Sequence, residues 1–262
     1  MALLFFDLDG TLLYGGIPAD GVVDVIREVK ENGHIPIIAT GRVPDLLYDL
    51  PKQLGIDSYI CANGNYIVYR EKLIYERYMP RELVARFLRM ADSEHFDVVV
   101  ECKSGFYAYR KEGEIVDQFF EAHNLPTPEV VHHLSKQDDV LTMVVFQDAD
   151  VNHLRREFPE LVFSQSNRFG FDVNLHGGLK ANGIRFLLSY LDEPENEVYA
   201  FGDGYNDIDM IAFATHGVAM GNAFDEVKAV AQYVTGHVLE RGVEQALIHY
   251  GLIHTKVRDA DV

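Results

Sequence analysis

Asp7 and Asp9 stand one residue apart at the end of the apolar run Leu3-Leu4-Phe5-Phe6. Four apolar residues in a row suit a strand covered on both faces, where an unpaired charge is costly. Residues i and i+2 of a strand share a side, so the two carboxylates leave it pointing the same way, with Gly10 and Thr11 turning the chain behind them. Two converging acids need either a metal ion or a shared proton to be tolerated. Two other apolar stretches end in comparable polar clusters. The run 35–39 meets Thr40-Gly41-Arg42, and the stretch "EVYAF" meets Gly202-Asp203-Gly204-Tyr205-Asn206-Asp207.

The elements around these clusters follow a strand–helix rhythm. A helix is expected over 20–32, where Val22, Val25, Ile26 and Val29 recur at helical spacing and Gly33 closes the pattern. A second helix is expected over 45–54. "YICANGNYIVY" reads as a third strand, a turn at Asn63-Gly64 and a return strand. From 80 to 176 the pattern changes to hairpins mixed with helices: a helix over 82–91, strands flanking Lys103-Ser104-Gly105, a helix over 114–123, and the strands "VLTMVVFQ", "LVFSQ" and "FDVNL". After 177 the parallel rhythm returns. The chain therefore reads as an α/β protein, a doubly wound, Rossmann-like parallel sheet core formed by residues 1–79 and 177–262, with an α+β domain, residues 80–176, inserted between its halves.

In an open α/β sheet, ligands bind at the carboxyl ends of the strands. That rule brings Asp7, Asp9, Asp203 and Asp207 into one small volume despite their separation in sequence. Hard oxygen donors without His or Cys favour Mg²⁺ over zinc.

Composition narrows the partners. The 262 residues carry 41 Asp and Glu against 23 Lys and Arg, a formal charge of −18, which argues against nucleic acid and against an anionic membrane surface. An anionic substrate remains compatible with a cation and a few local basic groups. Cys61 and Cys102 have neither metal-like nor disulfide-framework spacing and read as reduced thiols. With neither a basic leader nor an apolar run long enough to span a bilayer, a cytoplasmic protein is expected.

Taken together, these segments resemble the haloacid dehalogenase superfamily, specifically its Cof-type sugar-phosphatase branch. "FFDLDGTLL" is similar to the first motif, "IIATGR" to the second, the lysine of "GGLKANGI" to the third and "AFGDGYNDIDMI" to the fourth. "CANGNYI" and "VAMGNAFDEVKAVAQYVT" resemble the branch's Asn-Gly turn and C-terminal stretch, and residues 80–176 fall where it carries a type C2 cap. The resemblance covers nearly the whole chain. It implies that Asp7 is the nucleophile and forms an aspartyl-phosphate, and that Asp9 is the general acid and base; the residues alone do not choose between the two for attack. It further implies Mg²⁺ held by Asp7, Asp203 and the backbone carbonyl of Asp9. Asp207 would be a further ligand or an anchor behind the ligands. Thr40, Gly41, Lys180 and Asn206 would hold the phosphate. Ala181, after Lys180, stands where the branch usually has glycine.

The function implied is Mg²⁺-dependent hydrolysis of a small phosphorylated metabolite, such as a sugar phosphate, by a monomer or homodimer. The alternatives are a phosphotransferase resembling phosphomannomutase and a non-catalytic regulatory module on the same fold. The cap's scattered arginines argue against the former, and the presence of Asp7, Asp9, Lys180 and Asp203 against the latter. Arg42 is expected either to pair with a rim acid or to contact substrate, the pairing being favoured. His132 and His133 read as a solvated loop, and Phe106, Tyr107 and Tyr109 as packing residues.

Overall fold

The computed structural model describes residues 1–135, 138–146, 148–165, 169–192 and 198–254. The strand Leu3–Phe6 lies at the centre of an eight-stranded sheet, ordered Tyr233–Val234, His216–Ala219, Val198–Gly202, Leu3–Phe6, Ile35–Ala39, Tyr59–Cys61, Tyr66–Tyr69 and Lys72–Glu76. The first six strands in this order pair in parallel. The last two are antiparallel, so one edge departs from the all-parallel pattern. The turn at Asn63-Gly64 is what reverses the chain, with Asn63 in the left-handed region at φ 50°.

Leu3–Phe6 is apolar at every position because both faces of the sheet are covered. Leu4 and Phe6 pack with Val22, Val25, Ile26 and Val29 of the helix Val22–Glu31 and with the helix Gly242–His249. Leu3 and Phe5 pack on the opposite side, with the helices Lys180–Leu191, Ile208–Phe213 and Asp225–Val230. The continuous helix expected over 45–54 is instead a 3₁₀ turn, Pro44–Leu46, and a short helix, Leu50–Leu54. Pro51 lacks an N–H and starts a new helix, and Tyr48 lies in the left-handed region at φ 47° between the two pieces.

The inserted segment forms a second sheet of six strands, ordered Glu129–Val130, Gly105–Arg110, Val98–Cys102, Val140–Phe146, Gly170–Leu175 and Leu161–Gln165. All neighbours are antiparallel except Glu129–Val130 beside Gly105–Arg110. The helices Arg81–Glu94 and Val151–Glu157 cover one face. The helix Ile115–Ala122 covers only part of the other. Phe106 stacks on Phe120 at 5.3 Å, and His132 and His133 are exposed, as expected. Cys61 and Cys102 are buried free thiols. Among the described residues no helix is long and apolar enough to cross a membrane.

Candidate active site

The carboxyl ends of the parallel strands bring the scattered acids together. The Asp7 backbone N–H donates to the Phe201 carbonyl at 2.9 Å, so the end of the first strand is tied to the strand that leads to Asp203. Asp7, Asp203 and Asp207 each place a carboxylate oxygen within 4.8 Å of the others. Gly10 makes this proximity possible. Its φ is +85°, and a Cβ there would stand 2.2 Å from Asp203 Oδ2, so only glycine lets the chain after Asp9 lie against that carboxylate.

Lys180, the first residue of its helix, is fully buried beneath the acids. Its Nζ donates to Asp7 Oδ1 at 2.6 Å and to Asp207 Oδ1 at 2.5 Å. The helix reaches that position through a close backbone approach: a Cβ on Gly183 would lie 2.7 Å from Ile60 Cγ2 and 2.9 Å from Gly64 Cα. Ala181, the departure from the branch pattern, is also buried, and its N–H donates to Asp209 Oδ2 at 2.8 Å. The other oxygen of Asp207 accepts from the backbone N–H groups of Asp203 and Gly204, each at 2.9 Å. Both Asp207 oxygens are thus engaged within the protein, the arrangement of an anchor.

One ammonium does not balance this cluster. Burial first, and then the charge of Asp207, push the Asp7 carboxyl up to about 7 despite the opposing pull of Lys180. Asp203 is raised well above the ordinary carboxylate range by burial and then by Asp7. Burial works against the Lys180 charge, but Asp207 and Asp7 outweigh it and raise its pKa. Buried, mutually repelling oxygen donors are the chemistry that a small hard cation satisfies, so the residues fit Mg²⁺.

The Asp9 carboxylate turns away from this cluster. Arg42 grips it with two parallel hydrogen bonds, Nε to Oδ2 at 2.7 Å and a terminal nitrogen to Oδ1 at 2.6 Å. Arg42 therefore takes the ion-pair role. The N–H of Arg42 donates to Thr40 Oγ1 at 3.1 Å, which holds that side chain at the strand end. Thr40, Gly41 and Asn206 line the same cleft of about 550 Å³ as Asp7, Asp9 and Asp203. Lys180 lies behind Asp7 and is not among the lining residues.

Three polar residues that line the cleft, Asn222, Asp172 and Glu101, and Asn63 beside it were not singled out from the sequence as site residues. Asn222 Nδ2 donates to the Gly10 carbonyl at 2.9 Å and to Asp203 Oδ2 at 3.1 Å, tying the two together. Asn63 accepts from Asn206 at 3.4 Å and donates to Asp172 Oδ2 at 3.0 Å, a bond between the two sheets. Asp172 itself and Glu101 reach the cleft from the inserted sheet. The asparagines read as turn residues in isolation. Glu101 does carry a signal, a charge directly after three valines, whereas Asp172 shares its face of the strand with Asn174.

Known proteins are similar to this chain over nearly its whole length. A family model for haloacid dehalogenase-like hydrolases matches residues 4–247. YkrA of Bacillus subtilis (strain 168) is 32% identical over 253 residues, covering 96% of this chain and 98% of that protein. The 5-amino-6-(5-phospho-D-ribitylamino)uracil phosphatase YcsE of the same organism is 29% identical, covering 95% of this chain and 96% of its own. The solved structure of BT4131, described as a HAD subclass IIB sugar phosphatase, superposes with a TM-score of 0.85 at 27% identity, covering 97% of this chain and all of that one.

Proposed function

We propose that this chain, which belongs to the haloacid dehalogenase-like hydrolase family and is a phosphatase of its Cof-type branch, releases phosphate from small phosphomonoesters, sugar phosphates among them, in a Mg²⁺-dependent reaction through an aspartyl-phosphate on Asp7. The observation that carries this reading is the environment of Asp7: a buried carboxylate at a strand end, backed by Lys180 and facing a cleft that also holds Thr40, Gly41 and Asn206. The substrate named for YcsE, a phosphorylated polyol chain bearing an aminated ring, belongs to the same chemical class and is a reasonable member of a test panel.

The roles follow from position. Asp7, with one oxygen held by Lys180, presents the other to the phosphorus atom, forming the Asp7–phosphorus bond as the bond to the leaving alkoxide breaks. Asp9, two residues after Asp7 in the chain, gives its proton to the alkoxide and later takes one from the attacking water. To do so its carboxylate must leave the grip of Arg42, which makes that ion pair a holding position. Thr40, the Gly41 backbone and Asn206 hold the phosphate oxygens, and Lys180 offsets charge on Asp7 as attack proceeds. Asp7, Asp203 and the Asp9 carbonyl would hold Mg²⁺, with Asp207 as the anchor behind them. When bound, the ion reduces repulsion between an anionic nucleophile and an anionic phosphoryl group. Residues 80–176 act as the cap that closes the cleft and excludes water during the first step.

The test is phosphate release from a panel of phosphorylated sugars, polyols and other phosphomonoesters, with Mg²⁺ or EDTA, for wild type and Asp7→Asn. Release that requires Mg²⁺ and falls by about 10³-fold or more in the variant is expected. Release that survives the substitution would sink the mechanism. Phosphate transfer that depends on a bisphosphate activator, with no free phosphate, would favour the mutase instead.

A further inference from the structure

The turn Ala62–Gly64 places one side chain between the ends of the core strands and the inserted sheet. Asn63 adopts a left-handed conformation, φ 50°, which glycine would meet at lower cost. The side chain is therefore what asparagine adds at this position. It is buried, at 3% exposure, and its amide has a different partner at each end. Nδ2 donates at 3.0 Å to Asp172 Oδ2, on the inserted strand Gly170–Leu175. Oδ1 accepts from Asn206 Nδ2 at 3.4 Å. The Asn63 backbone N–H donates to the Thr40 carbonyl at 3.2 Å, so two of the segments assigned to phosphate meet at this residue.

These partners give the string a direction. An ionised carboxylate only accepts, so Asp172 draws the nitrogen of Asn63 toward the inserted sheet. Asn63 must then show its oxygen to Asn206, which answers with its nitrogen. Reversing either amide would set two acceptor oxygens against each other in a buried place, which is costly. The Asn206 nitrogen carries two hydrogens, and with one directed at Asn63 the other serves a phosphate oxygen. The string also runs beside the Gly41 backbone. A Cβ on Gly41 would stand 3.3 Å from each of Asn206 Nδ2, Asn63 Oδ1 and Asp172 Oδ2.

We propose that Asn63 is a positioning residue that carries the polarity set by Asp172 to Asn206, so that phosphate is gripped at full strength only with the cap strand Gly170–Leu175 seated on the turn. This rests on the phosphatase reading above and deepens it. A neighbouring pair supplies a control. Asn65 Nδ2 donates to Asn174 Oδ1 at 3.2 Å and to the Ala62 carbonyl at 2.8 Å, so it ties the same strand to the same turn without leading to Asn206.

The experiment titrates inorganic phosphate into the protein by calorimetry with Mg²⁺, and reads the same variants in kcat and KM for compounds that wild type hydrolyses. Asn63→Gly suits the left-handed backbone and deletes the amide. Asp172→Ala deletes the acceptor that sets its direction. Each is expected to weaken phosphate binding by about fivefold, and to raise KM more than it lowers kcat. Asn206→Ala is expected to weaken binding by about tenfold, and in that background the further loss from either variant should fall within about twofold. A merely structural role would instead give the same loss with and without the Asn206 amide. Asn174→Ala, which cuts only the neighbouring tie, should stay within about twofold of wild type. Either of the two variants decides if it folds. Unchanged phosphate affinity, a loss undiminished in the Asn206→Ala background, or an equal loss in Asn174→Ala overturns the proposal and leaves the phosphatase reading standing. A wild type that binds no phosphate and releases none from any panel compound overturns both.

Discussion

Lys180 holds two buried carboxylates with one ammonium, so its removal has consequences beyond catalysis. Lys180→Met keeps the volume of the aliphatic stem and deletes the charge. Asp7 and Asp207 then face each other uncompensated, and a loss of about 3 kcal/mol is expected at neutral pH in urea unfolding of the Mg²⁺-free protein. Glu101 gives the opposite sign. In the unfolded chain its carboxyl ionises near its ordinary 4.5, but in the folded chain only near pH 8. Between those values the unfolded chain binds fewer protons, so rising pH favours unfolding until ionisation of the folded state ends the slope. Glu101→Gln removes that slope. The variant is expected to exceed wild type by about 2 kcal/mol at pH 7.5 and by little at pH 4.5, measured by urea midpoints at both pH values. A variant less stable than wild type at pH 7.5 would show that Glu101 has a structural partner.

At the scale of elements, the site depends on where a helix begins. The backbone contact between Gly183 and Gly64 brings Lys180 to the strand ends, and an added methyl would meet Gly64 Cα, which has no side chain to move aside. Gly183→Ala is expected to cost about 1–3 kcal/mol by thermal unfolding. It should lower kcat more than it raises KM, because it displaces Lys180 rather than the cleft-lining residues. The strand-end acids were legible in the sequence because apolar runs ended abruptly on Asp7 and just before Asp203, with helices expected between the strands. The broken segment 45–54 was not, because its apolar spacing survives Pro51 and nothing in the pattern reveals the left-handed Tyr48. Asn63 and Asn222 escaped for a different reason. Each side chain crosses to a segment remote in the chain, and a turn asparagine that does so reads like one that does not. Glu101 sits in a stretch that reads as one arm of a hairpin, and only the packing of the sheet shows that its side faces a cleft rather than solvent.

Across the whole molecule, the formal charge of −18 opposes the approach of the phosphate dianion that the proposed function places at the strand ends. These influences act over different ranges. Repulsion from the distributed acids is felt through solvent, where salt screens it with a Debye length of about 30 Å at 0.01 M falling to about 8 Å at 0.15 M. The proposed phosphate contacts with Thr40, Gly41 and Asn206 would act within hydrogen-bond distance, where mobile ions intrude little. Raising ionic strength across that range, at constant free Mg²⁺, should therefore relieve the repulsion and leave most of the grip. For a dianionic ester such as glucose 6-phosphate, kcat/KM is expected to rise by about two- to threefold. An ester carrying an ammonium has a smaller net negative charge and should rise less, so the two salt profiles should converge as ionic strength increases. A fall in kcat/KM for the dianion over the same range would mean that the local positive field at the cleft mouth, and not the charge of the whole protein, governs the encounter.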